Sequence, residues 1–418
     1  MAFFVDAFDA YVPVLALAPA QAFFLPDFIP VSTRATIAYV VFFTISWMGR
    51  PLGAFVFGHF SDTIGRRRTT LISVAGFGAC TLAMGLLPGY TQWGLAAVAV
   101  FGVLRLIGGI FIGGEYTGAA PLAIEYATTN QRGLWGSLCN IGYPLALAAN
   151  TGLTYLLLQF FPAGGPNAPY SVYGWRIAFV IGAFLAFAAF AYYYRTVPES
   201  EVWLAADKSA APLKELFGTA QFLRFAQIFL LMLGAWLTLN PVAGSLPTLF
   251  HVVLNVPSTV ATAAIFLSTI IGAALFPFVG MLGQRISRRT LYMIIGGMNI
   301  LVTPPLYVWL IASGHDNVGL LIVLTILIQI PTLAVWALAT AYITESFPTQ
   351  VRASGYGLGF SLATIPAAFY AFGMLGLSHF MPYRYTQVAI LALGGLLILI
   401  AAAFGPDNRN VEFQSDAA

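Results

Sequence analysis

Polar residues in this chain fall in short bursts between long apolar runs. Twelve runs, at approximately 2–24, 36–60, 70–88, 94–124, 133–160, 173–194, 223–246, 258–280, 290–313, 317–343, 354–378 and 386–404, stand out. A helix needs roughly 20 apolar residues to cross a bilayer. Some runs exceed that length, which implies tilt or ends lying in the interface. The largest polar stretch, 195–222, divides the runs into six and six. The expected architecture is an all-α membrane protein with twelve transmembrane helices in two six-helix pseudo-symmetric halves. The halves are residues 1–194 and 223–418, the second with a short tail, and 195–222 is the linker.

One polar burst occurs twice. Residues 58–68 read GHFSDTIGRRR and residues 280–289 read GMLGQRISRR, 222 positions later. A second element recurs: Glu125 and Arg132 after the fourth run match Glu345 and Arg352 after the tenth. Polar loops duplicated inside a duplicated apolar chain point to a transporter built from repeats.

Composition supports a lipid-embedded chain. Charged residues make up 8% and hydrophobic residues 59%, against roughly 25% charged in a soluble domain. Cys80 and Cys139 both lie in apolar runs and read as small buried hydrophobes. Most basic residues, from Arg66 to Arg409, fall on one side of the expected spans, with Arg34, Arg176 and Arg384 on the other. That bias and the even span count place both termini in the cytoplasm. Asp6 and Asp9 interrupt the opening run, so no cleavable signal is read there. Met1 lies against the first span, as in a start that lacks its cytoplasmic lead.

The loop pair resembles the signature of the major facilitator superfamily, and the likeness covers essentially the whole chain. Pro198-Glu199-Ser200 and Gly405-Pro406-Asp407 resemble its end marks for each half. Within it, RPLGAFVFGHFSDTIGRRR (50–68), GGEYTGAAPLAIEYA (113–127) and YGWRIAFVIGAFLA (173–186) are similar to the metabolite:proton symporter branch. That branch typically moves small carboxylates or zwitterions inward with protons. Asp6-Ala-Phe-Asp9 looks closer to the paired aspartates of aromatic-acid and sialate symporters.

Charges inside a membrane are costly and therefore functional by default. Asp6, Asp9, Arg50, Arg105 and Glu115 all lie in the first half. Asp6 and Asp9 are three apart and share a helical face. Two close carboxylates in low dielectric do not both ionise easily, so one is expected to hold a proton near neutral pH. The alternative is a solvated pair at the membrane edge. Glu115 reads either as a proton relay or as a partner of Arg50 or the loop arginines. Arg105 cannot shed its charge and needs an anion, and it resembles the fourth-span arginine of the superfamily. It begins a ladder with Gly109 and Gly113 that flattens one helix face. Arg50, before Pro51, is expected to snorkel to the inner interface or to cap a loosened carbonyl.

The expected cytoplasmic gate comprises Gly58, Asp62, Gly65, Arg66, Arg67, Arg132, Glu345 and Arg352. Asp62 is suited to accept from Arg66 or from amides at a neighbouring helix end. Gln284 replaces the aspartate in the second copy, which reads as a topology anchor instead. Asn240-Pro241 and Pro247 predict a broken seventh span. Candidate substrate contacts are Arg105, Trp236, Asn240, Gln329, Trp336 and Tyr342, with lipid or core packing the competing role for each aromatic. His59, His251, His315 and His379 read as ordinary histidines.

No GxxxxGK phosphate loop, metal pattern or nucleophile set is present in the sequence. The expectation is therefore a non-enzymatic transporter with no cofactor, importing a small organic anion with protons. Its partners are that solute, protons and the bilayer, with no nucleic acid, and the chain is a monomer in an inner or plasma membrane. A zwitterion or osmolyte symporter, a lipid-acting enzyme and a ligand sensor on a transporter fold are the alternatives.

Overall fold

The computed structural model describes residues 2–26, 28–29, 37–205, 212–218, 221–246, 249–250, 254, 256–314 and 316–413. Met1, Arg34, Lys208, Pro247, His251 and His315 lie outside them. The first half comprises α1 (Ala2–Ala16), α2 (Val40–Ile64), α3 (Arg66–Gly85), α4 (Leu95–Glu125), α5 (Thr129–Phe160) and α6 (Tyr170–Thr196). The second comprises α7 (Gln221–Ala243), α8 (Ser258–Ile286), α9 (Arg288–Ala312), α10 (Val318–Glu345), α11 (Thr349–Leu377) and α12 (Tyr383–Phe404). Two short helices, Glu201–Ala205 and Pro212–Gly218, lie between them.

Ten of these helices are long and apolar enough to cross a membrane among the described residues. The other two are α1 and α3. Helix α1 is 15 residues long. The run continues to Phe24 through a 3₁₀ turn, Ala18–Ala20, where Pro19 interrupts the ladder. Helix α3 opens on three arginines that lower its hydropathy. With these two, the chain is a twelve-span, multi-pass membrane protein in two halves.

Small residues let the helices touch. In the first half, α2 packs on α4, α3 on α4 and α6, and α1 on α5 and α6. A methyl group on Gly113 would strike the Arg50 carbonyl, and one on Gly109 the Ser46 carbonyl. The Arg105–Gly109–Gly113 ladder is thus the face that lets α4 lie against α2. In lipid, where apolar burial drives little, such close packing holds helices together. In the second half, α7 packs on α12, α8 on α10 and α9 on α12, with Gly234 against Gly394.

Helix α7 breaks where the sequence places Asn240-Pro241. The break is a widened π-type turn, Asn240–Gly244, instead of a sharp kink. Contacts between the halves run mainly through α2 with α11, α5 with α8 and α10, and α4 with α11. Gly133 and Gly280 lie against each other's carbonyls, and Gly58 lies against Ser354. These contacts seal the end of the molecule that carries the loop arginines, hereafter the basic face.

Candidate functional site

At the basic face, α2 turns into α3 at Gly65, whose φ of 114° is left-handed territory that suits glycine. The turn sets Asp62 four residues before Arg66, and their side chains pair at 2.8 Å. Asp62 also accepts from the Ala353 amide at 3.1 Å, the Ser354 amide at 2.9 Å and the Ser354 hydroxyl at 2.7 Å. Those amides open the helical segment Arg352–Leu362 of the other half, where an anion meets the positive helix end. Arg66 donates to the Ser61 carbonyl at 2.7 Å and crosses to the Thr349 carbonyl at 2.9 Å. Glu125 takes Arg352 at 2.6 Å and stands 3.8 Å from Arg66.

The second copy is built alike with one change. Arg288, the mate of Arg66, pairs with Glu345 at 2.6 Å and donates to Gln284 at 2.6 Å. Arg132 crosses from the first half and stands 3.9 Å from Glu345. Ser287 takes the place of Gly65 at φ 94°, a costly conformation for a residue with a Cβ. Gln284 turns to the tail, donating to the Arg409 carbonyl at 3.2 Å. Arg409 in turn donates to the Arg285 carbonyl at 2.5 Å. The tail then reaches both halves: Arg132 donates to the Val411 carbonyl at 2.5 Å. The Phe413 ring lies 3.6 Å from the Arg132 guanidinium carbon and 4.1 Å from that of Arg352. Arg288 and the tail were not expected at this seal; the repeat signalled Arg288, and nothing in the sequence marked Phe413.

Arg67 does not bridge the halves. It donates to the Tyr194 carbonyl near the end of α6 and to the Val197 carbonyl of the linker, at 2.6 Å each. Glu199 accepts from the Arg66 amide at 2.9 Å and caps the start of α3.

The five intramembrane charges are all buried, and they separate. Arg50 reaches neither the interface nor a loosened carbonyl; it pairs with Asp6 at 3.2 Å. Asp9 accepts from the Thr81 hydroxyl, and its other oxygen has no hydrogen-bond partner. Arg105 donates to the Phe42 and Ala10 carbonyls at 3.2 Å each, and no carboxylate stands within ion-pair distance among the described residues. Its anion is replaced by two carbonyl dipoles. Neither oxygen of Glu115 has a hydrogen-bond partner, so it is paired neither with Arg50 nor with the loop arginines.

The candidate substrate residues divide. Trp236 and Trp336 lie 4.5 Å apart, ring centre to ring centre. Asn240 donates to the Ala367 carbonyl at 2.9 Å and lines a small gap beside Trp236, Trp47 and Tyr370. Trp47 of α2 meets Trp236 edge to face at 4.7 Å, so this cluster joins the halves. The other three lie elsewhere. Arg105 is held inside the first half. The Gln329 amide is taken by Ser268 and Thr269 of α8. Tyr342 accepts from Gln227 and lies against Gly405 near the basic end of the second half.

The family model described as Major Facilitator Superfamily matches residues 1–371. The chain belongs to the major facilitator superfamily. The chain is 29% identical over 381 residues to the inner membrane metabolite transport protein YhjE of Escherichia coli, covering 87% of this chain and 82% of the relative. It is 30% identical over 367 residues to the citrate-proton symporter of Salmonella typhi, covering 86% and 81%. Among solved structures, the proton:xylose symporter XylE superposes with a TM-score of 0.74 at 18% identity, covering 96% and 93%. This superfamily chain is thus a transporter by family and a twelve-span bundle by fold.

Proposed function

We propose that this chain imports a small organic anion together with protons by alternating access. The halves, 1–194 and 223–418, rock about the aromatic cluster that joins them. The observation that carries the reading is the buried Arg50–Asp6 pair, 3.2 Å apart. The Arg50 guanidinium lies 4.5 Å over the Trp47 ring, beside the junction of the halves. A substrate carboxylate that takes Arg50 would leave Asp6 buried and unpaired, which is unfavourable by several kcal/mol as an order of magnitude. A proton on Asp6 removes that penalty. Substrate and proton each favour the state the other prefers, which is a coupling free energy between two sites.

Asp9 and Glu115, with unpartnered carboxylate oxygens in the same half, are further proton positions. Arg105 fixes the carbonyl geometry around Asp9. Asp62, Arg66, Glu125, Arg132, Glu345 and Arg352 form the cytoplasmic gate, aided by Gly58, Gly65 and Arg288. Arg67 pins the linker to α3. The citrate-proton relative and the proton-coupled fold neighbour support the coupling. The basic bias and the inner-membrane relative support an inner-membrane location with cytoplasmic termini.

The test uses proteoliposomes holding a pH dye, with mono-, di- and ring carboxylates, proline and sugars added outside in turn. Acidification above protein-free vesicles by carboxylates alone is the expected result. Uptake of labelled carboxylate without acidification removes proton coupling. Uptake of proline alone replaces the anion with a zwitterion.

A further inference from the structure

A cavity of about 730 Å³ opens beside the first repeated loop, lined wholly by the first half and the linker. Its size falls within the roughly 300–1,000 Å³ of small-molecule sites. It lies where α6 ends at Thr196 and α3 begins at Arg66, so both helices leave the membrane at its level. Three arginines line it, Arg67, Arg68 and Arg195, against one acid, Glu199. The Glu199 carboxylate is already engaged: it accepts from the Arg66, Arg67 and Ser200 amides at 2.9, 3.1 and 3.1 Å. Arg67 is held by two carbonyls and by the Tyr194 ring, 5.4 Å from its guanidinium carbon. Those bonds leave guanidinium N–H groups over. Arg68 and Arg195 are exposed, and neither side chain makes a hydrogen bond or ion pair among the described residues. The concave site therefore carries an excess of positive charge held on donors alone.

Its rim is apolar. Ile64, Tyr194 and Leu204 line the cavity and are exposed. Phe190 stacks on Tyr194 at 6.2 Å, one turn deeper along α6. Phe187 follows, exposed and lying against Gly78 of α3. From Arg195 to Phe187 the helix descends about 12 Å. A basic pocket thus continues into an aromatic seam that runs toward the membrane interior between α3 and α6. A soluble anion would use the arginines and leave the seam unused. A membrane lipid uses both, with its phosphate on the guanidinium groups and a chain along the rings.

We infer that this cavity is a binding site for the phosphate headgroup of an anionic glycerophospholipid. Arginine suits the ligand because its planar fork matches phosphate oxygens and keeps its charge at every physiological pH. The site is independent of the transported solute. It reaches the seal through the linker, where Trp203 lines the cavity and its indole N–H donates to the Asp62 carbonyl at 3.0 Å.

The test titrates the purified protein in detergent with phosphatidylglycerol and with phosphatidylcholine of the same chains, and reads bound lipid by native mass spectrometry. A separate arm adds inorganic phosphate. Phosphatidylglycerol is expected to bind about tenfold tighter than phosphatidylcholine and to resist displacement by inorganic phosphate. Arg68→Gln and Arg195→Gln should each weaken phosphatidylglycerol about fivefold, the scale of one arginine near a charged lipid surface. Arg195→Lys keeps the charge and should stay within about twofold of wild type. Arg285→Gln removes an exposed arginine of the second repeated loop, outside the cavity, and should change nothing. Equal affinity for the two lipids overturns the inference, and so does equal weakening by Arg285→Gln, which would mean general surface charge. A loss as large in Arg195→Lys as in Arg195→Gln overturns recognition by charge. Displacement by inorganic phosphate overturns the lipid as occupant and assigns the pocket to a soluble phosphate.

Discussion

Glu125 ends α4 in one half, and its carboxylate holds the Arg352 guanidinium of the other half at 2.6 Å. The repeat mates Glu345 and Arg132 face each other at 3.9 Å. The tighter pair stands beside Asp62, and the looser one beside Gln284. The first copy therefore carries more of the seal. Removing one partner of a buried ion pair is unfavourable by about 3–5 kcal/mol, because the other charge is left stranded. Glu125→Gln is expected to open the basic face. A cysteine at Ser137, buried where α5 crosses Gly280, reports this in a Cys80→Ser, Cys139→Ser background. Maleimide labelling in detergent should speed up at least tenfold, about 1.4 kcal/mol, and more than in Glu345→Gln. Equal or slower labelling would contradict the asymmetry.

The tail adds to the same seal. The Phe413 ring touches one arginine from each half, and each cation–π contact contributes about 0.5–2 kcal/mol. Phe413→Ala should raise Ser137→Cys labelling roughly three- to tenfold at that scale. Phe413→Trp should preserve the slow rate. A rate insensitive to both changes would mean the tail rests on the face without holding it.

Packing of α2 on α4 should tolerate no side chain at the ladder. A methyl at Gly113 meets the Arg50 carbonyl directly, and overpacking of this kind is unfavourable by about 1–3 kcal/mol or more. Gly113→Ala should lower the melting temperature in detergent by several degrees, whereas Gly152→Ala, which meets open space, should not. Similar shifts in both would contradict the close approach.

Asp9 is held by Thr81 rather than by an arginine. Asp9→Asn keeps an acceptor for that hydroxyl and removes a proton position. Uptake of labelled carboxylate should persist with fewer protons per solute, read as dye response against label. An unchanged ratio would leave Asp9 a structural residue.

Much of the ion-pair network at the basic face was legible because it is repeated. Asp62 with Arg66, and the Glu–Arg pairs seven residues apart, follow from two copies of one pattern. The lesson fails where contact depends on a third dimension that spacing does not encode. Arg50 reads as an interfacial residue until α1 sets Asp6 beside it. Arg105 reads as needing an anion, yet two backbone carbonyls serve. Gln329 and Tyr342 sit at plausible helical positions but face neighbours inside their own half. Trp47 and Trp236 join only because the halves meet there, which no single run announces.

The central claim is that substrate and proton are coupled through Arg50 and Asp6, the substrate carboxylate competing with ionised Asp6 for Arg50, and one variant tests it most directly. Asp6→Asn removes the competing charge while keeping the side chain's shape. Labelled carboxylate and lumen pH should be followed together in proteoliposomes, beside wild type. The account predicts that wild type moves both and that Asp6→Asn still takes up the labelled acid while the lumen acidifies less per solute than in wild type. Lumen acidification by Asp6→Asn equal to that of wild type would contradict it.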